Sequence, residues 1–177
     1  VALVLSRSDL ADGSFTSAFE EAFRYADEGE SCALYRCLGL LPGGERFIWR
    51  AGEGCRSNMA SVFEAVACDT AYGSRFFDEP TWRQLVIKAV FIGAPLWRVW
   101  GLDERLSAEL AEMALDLIDE RRSARRAIPP ELWLCLGDHG GERAAAAIER
   151  ELSEADAVGR QAAVLGLARA GHYARLR

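Results

Sequence analysis

The stretch DEPTWRQLVIKAVFIGAP, Asp78 to Pro95, decides how this chain folds. Asp78 can cap the free amides of a helix start, and Pro80 suits a first helical turn. Gly93-Ala94-Pro95 closes the segment, so the pattern predicts a helix from Pro80 to Ile92. Successive residues are offset by about 100° around a helix. Trp82, Leu85, Ala89 and Ile92 then share one side, while Val86, Val90, Ile87 and Phe91 cover most of the rest. A helix apolar nearly all round is expected at the centre of a core. Thr81, Gln84 and Lys88 fall on one narrow polar stripe. A buried lysine is costly unless it is paired. Lys88 therefore either snorkels or makes a structural ion pair, or faces a polar pocket that binds an anionic group.

Helical periodicity continues on both sides of this segment. Upstream, a helix is expected over Ser14–Asp27, with Phe15, Ala18, Phe19, Ala22 and Phe23 along one stripe. A second covers about Glu30–Leu40 and ends before Pro42-Gly43-Gly44. Another stretch runs from about Glu45 to Asp69, broken near Gly52 and Gly54, with Met59, Val62, Phe63 and Val66 at helical spacing. Downstream, a long helix is expected over about Asp103–Arg126, then a short one around Glu131–Leu136. Two more close the chain, about Glu142–Leu152 and Glu154–Ala170. Strand signals are confined to Val1–Leu5 and Phe47–Trp49, both equally readable as helix ends. The expected fold is all-α, a single domain over 1–177 of antiparallel helical hairpins stacked as a short HEAT-like α-solenoid. A HEAT-like helix pair is placed at about 139–171.

Composition bounds the function. Half of the 177 residues are hydrophobic and 27% are charged, which supports a core and argues against disorder. The net charge of −6 disfavours nucleic acid and anionic membranes as main partners. No run reaches the roughly 18 apolar residues of a membrane helix. Five scattered cysteines without CxxC spacing read as buried thiols in a reducing compartment, so a cytoplasmic location is expected.

Catalytic signatures are missing. His139 and His172 have no second ligand at zinc spacing, and neither a nucleophile elbow, a phosphate loop nor a dinucleotide fingerprint occurs. No cofactor and no metal is expected. In the long helix, Leu106, Leu110, Met113 and Leu117 form the expected apolar seam, with Glu120 about 40° to one side and Arg121 about 60° to the other. Glu112, Asp116 and Glu120 make an acidic row, which is read as a solvated face. Arg121, Arg122, Arg125 and Arg126 complement the helix dipole at its end.

From Arg56 to Trp133 the chain carries, in order, RSN, VFEAVA, a tyrosine-containing loop, FDE..W.Q...KA.F.G.PL, GLD.R, a long helix with ER, and P.ELW. In this order and spacing it resembles the EboA family, and with the preceding LYRCLGLLPGGERF the resemblance covers about three quarters of the chain. It implies a helical, HEAT-like protein. The family accompanies genes for a UbiA-type prenyltransferase, a sugar-isomerase-like barrel, a dehydroquinate-synthase-like enzyme and hydrolases. The cluster is associated with making or exporting small secondary metabolites. The matching polar positions, taken as candidate ligand-binding residues, are Arg56, Asn58, Gln84, Lys88, Asp103, Arg105, Glu120 and Arg121. This chain departs from the family's DYAHERWAAGR-like helix, with Leu117, Asp119 and Arg122 where Tyr, His and Trp are typical.

The resemblance implies a non-catalytic accessory protein for biosynthesis, trafficking or export of a small secondary metabolite. Its expected partners are proteins of the same gene cluster or a small anionic metabolite. The alternative is a small helical enzyme acting on a phosphorylated or prenylated metabolite through a buried Lys/Glu/Arg site. A contact between Lys88 and Glu120, direct or through a ligand or water, is expected if their helices pack together.

Overall fold

A computed structural model describes residues 1–169. Helices account for 72% of it, and no strand occurs among the described residues, as the all-α expectation required. The chain divides into two compact units, Val1–Gly101 and a second beginning at Leu102.

The first unit contains α1 (Ala2–Leu5), α2 (Gly13–Tyr25), α3 (Glu28–Cys37), α4 (Ile48–Arg56), α5 (Ala60–Ala67), α6 (Tyr72–Phe76) and α7 (Glu79–Ile92). Its core begins with the aromatic stripe of α2. Phe19 packs on Phe47 with ring centroids 5.3 Å apart, and Phe23 meets Tyr35 at 4.7 Å. Arg46 ties the chain before α2 to this core. Its guanidinium donates to the carbonyls of Leu10, Ala11, Asp12, Pro42 and Gly43 and to the Thr16 hydroxyl. α3 starts two residues earlier than its periodicity predicts because Asp27 forms a capping box with Glu30.

α4 and α5 correct an expectation. The break lies at Ser57-Asn58-Met59, and Gly52 and Gly54 stand inside α4. A Cβ on Gly54 would sit 2.5 Å from Val66 Cγ2 and 2.7 Å from the Tyr35 ring, so the glycine permits close packing and does not end the helix. α6 was not expected at all; it is a single short turn of helix. Beyond it, α7 follows its sequence signals closely. The Asp78 side chain accepts from the Thr81 amide, Pro80 lies in the first turn, and Gly93 ends the helix at φ 80°. Trp82, Leu85, Val86, Ala89 and Val90 are buried. The helix is not buried all round, however, since Phe91 is 64% exposed and Gln84 faces solvent.

The second unit contains α8 (Ala108–Ser123), α9 (Gly141–Glu154) and α10 (Ala157–Arg169), with a 3₁₀ segment Pro130–Cys135 before α9. Ser107 caps α8 by accepting from the Leu110 amide, so Asp103–Leu106 precede the helix. The buried seam is Leu110, Ala111, Ala114, Leu115 and Ile118. Met113 and Leu117 are only half-buried. α9 and α10 pack on each other through small residues. Gly166 lies so close to the 3₁₀ segment that a Cβ would be 3.2 Å from the Trp133 carbonyl oxygen. Glu151, buried, pairs with Arg122 at 3.2 Å. His172 and the last two residues of the expected 139–171 pair lie outside the described residues.

Candidate functional site

Within the first unit, α4 and α7 enclose a cavity of about 320 Å³ lined by Gly52, Cys55, Arg56, Thr81, Gln84, Leu85 and Lys88. The polar stripe Thr81–Gln84–Lys88 of α7 thus forms one wall. Gly52 contributes backbone without a side chain to the other. Lys88 Nζ donates to the Cys55 carbonyl at 2.6 Å and to the Ser57 carbonyl at 2.8 Å. These oxygens belong to the end of α4, where carbonyls lack helical partners and favour a cation. Nζ also lies 5.3 Å from the Phe63 ring centroid, within cation–π range. Arg56 stands at the rim with its side chain 71% exposed and pairs with Glu53 at 2.5 Å. Cys55, between Arg56 and Gly54, is a poor nucleophile. Burial pushes its thiol up to about 12, against the opposing pull of Lys88 and Arg56.

Three of the eight candidate residues, Arg56, Gln84 and Lys88, are therefore brought together. Asn58 is exposed in the turn between α4 and α5, one residue beyond a Lys88 acceptor, and does not line the cavity. The other four lie in the second unit. Asp103 pairs with Arg169 and, with Leu106, Gly137, Asp138 and His139, lines a cavity of about 370 Å³. Arg105 is half-buried. Arg121 donates to the Ala127 carbonyl at 3.3 Å. Glu120 was expected to border buried surface, but its side chain is 60% exposed and pairs with Arg126 at 3.8 Å. The seam is rotated from its predicted position because Leu106 precedes the helix and alanines carry the close packing. Lys88 and Glu120 each have partners within their own unit.

Three lining residues carried no functional signal in the sequence. Gly52 was read as a helix break, Cys55 as one of several buried thiols, and Leu85 as part of the apolar side of its helix. Among the described residues, no group of three His, Cys, Asp or Glu side chains could hold a metal ion. No helix among them is long and apolar enough to cross a membrane.

The family described as metabolite traffic protein EboA matches residues 1–137, a span that includes the whole α4–α7 groove. α9 and α10 lie beyond the match. Comparison with curated proteins and with solved structures found no match.

Proposed function

This chain belongs to the EboA family, and we propose that it serves metabolite traffic as a non-catalytic accessory protein that binds a small anionic metabolite in the α4–α7 groove. The observation that carries this reading is the convergence of Lys88, Arg56, Gln84 and Thr81 on one cavity of about 320 Å³. Pockets for small ligands combine enclosure with a few converging polar groups, and the positive side chains here favour a negatively charged occupant.

Binding without chemistry is supported by the state of the two groups that could react. Lys88 is engaged by two main-chain carbonyls. The Cys55 thiol, raised by burial to about 12, stays protonated at ordinary pH. The natural recipients of the bound metabolite are the enzymes or exporters made from the same gene cluster. Five free cysteines suit the reducing cytoplasm, where we place this traffic.

Native mass spectrometry of the purified protein tests the reading. A small-molecule adduct is expected on the wild type and should be lost in Arg56→Gln. A wild type that carries no adduct and takes up none from an extract of small acids would overturn it.

A further inference from the structure

The donors and charges around the groove narrow the ligand further. Lysine has three N–H donors, and Lys88 gives two of them to the Cys55 and Ser57 carbonyls. Carbonyls are neutral, so these bonds satisfy the ammonium without cancelling its charge. Arg56, the other cation on the cavity, is held at 2.5 Å by Glu53. With Arg56 paired to Glu53, the charge of Lys88 is the one left uncompensated on the lining. The protonated Cys55 adds nothing to that balance at ordinary pH. Thr81 and Gln84 complete the polar lining with neutral donors and acceptors. The volume, about 320 Å³, lies at the small end of the usual range for ligand sites.

Resting on the reading of this groove as a small-molecule site, we infer that it selects a small monocarboxylic acid bearing a hydroxyl or carbonyl group, in preference to a phosphate monoester or a neutral analogue. One carboxylate oxygen takes the remaining Lys88 N–H. Arg56 turns from Glu53 to meet the carboxylate, which its planar fork fits. Thr81 and Gln84 take the neutral oxygen of the ligand. A dianion would bring a second negative charge toward Glu53, with no third cation among the described residues that line the cavity, and like charges at this range disfavour binding.

Calorimetric titration with mandelate, mandelamide and phenyl phosphate tests the inference with ligands of similar size. At about pH 8 the phosphate monoester carries close to two charges. Mandelate should bind about tenfold or more tighter than either of the others, and Arg56→Gln should remove about tenfold of its affinity. Glu53→Gln should bring phenyl phosphate to within about threefold of mandelate by removing the repelling carboxylate. Arg56 and Glu53 keep 71% and 41% of their side chains exposed, so these variants should fold normally. Phenyl phosphate or mandelamide binding the wild type as tightly as mandelate would overturn the selection for a monoanion. If none of the three binds and the purified protein carries no adduct, the groove fails as a small-molecule site altogether. A neutral or doubly charged adduct that is retained by the wild type and lost in Gln84→Leu would leave the groove standing and overturn only the monoanion inference.

Discussion

Lys88 in the first unit and Arg143 in the second are both cations held by several oxygens, yet they leave opposite electrostatic results. Lys88 is held by two neutral carbonyls at the end of α4. Arg143 is held by three carboxylates of α8, with Glu112 at 2.5 Å, Asp116 at 2.8 Å and Asp119 at 2.6 Å. The first arrangement satisfies two of the three donors and keeps the positive charge. The second overcompensates the charge and leaves an acidic surface. A cluster of charged residues is therefore a weak pointer to a ligand until the charge of its partners is known. On the proposed reading, an anion would be drawn to the α4–α7 groove and repelled from the α8 face.

The largest effect is expected where the groove wall is anchored. Gly54→Val would drive side-chain atoms into Tyr35 and Val66, where even a Cβ is too close. Overpacking of this kind costs about 1–3 kcal/mol or more, and a chemical-denaturation midpoint would register it. An unchanged midpoint would mean that α4 and α5 do not pack this tightly.

Next is Lys88→Met, which keeps the bulk of the side chain and deletes its donors. The Cys55 and Ser57 carbonyls then lose their shared partner, and the cost should be about 1–3 kcal/mol. Because neither partner is ionised, the loss should persist in high salt. A loss that vanished with added salt would show that Lys88 is held by a charge pair instead.

A smaller effect belongs to Cys55 and depends on pH. Burial raises the folded thiol to about 12, above the roughly 8.5 of an unfolded thiol. The group therefore contributes stability below the unfolded value that is lost as pH rises from there through the folded value. Between about pH 8.5 and 11 the wild type should lose stability faster than Cys55→Ala. Parallel curves from the two proteins would contradict this.

The smallest effect is expected at the contrasting cluster. Arg143 keeps 38% of its side chain exposed, so Arg143→Gln should cost about 1 kcal/mol or less, and salt should erase most of that. A salt-resistant loss as large as that of Lys88→Met would erase the contrast between the two cations.

How much of this could be read from the sequence follows from how local each signal is. α7 was legible because Asp78, Pro80 and Gly93 act within a few residues of themselves. The Thr81–Gln84–Lys88 stripe was legible for the same reason, and it became one wall of the groove. Gly54 was misread because its reason is Tyr35 and Val66, both more than ten residues away in the chain. The α8 seam was misplaced because Ala111 and Ala114 bury completely while offering little hydrophobic signal. The partners of Lys88 could not be foreseen, since main-chain carbonyls have no side-chain signature. The acidic row is exposed, as read. Arg143 reaches acids that are 24 to 31 residues earlier, however, so nothing local announced the arginine that bridges Glu112, Asp116 and Asp119.

The most direct test removes one positive charge from each region and compares the two. Mandelate is titrated by calorimetry into Arg56→Gln and Arg143→Gln, which change the net charge of the chain by the same amount. If the surviving charge of the groove holds the ligand, Arg56→Gln should lose about tenfold in affinity while Arg143→Gln stays within about twofold of wild type. Equal losses in both variants, or a loss only in Arg143→Gln, would contradict the assignment of anion binding to the α4–α7 groove.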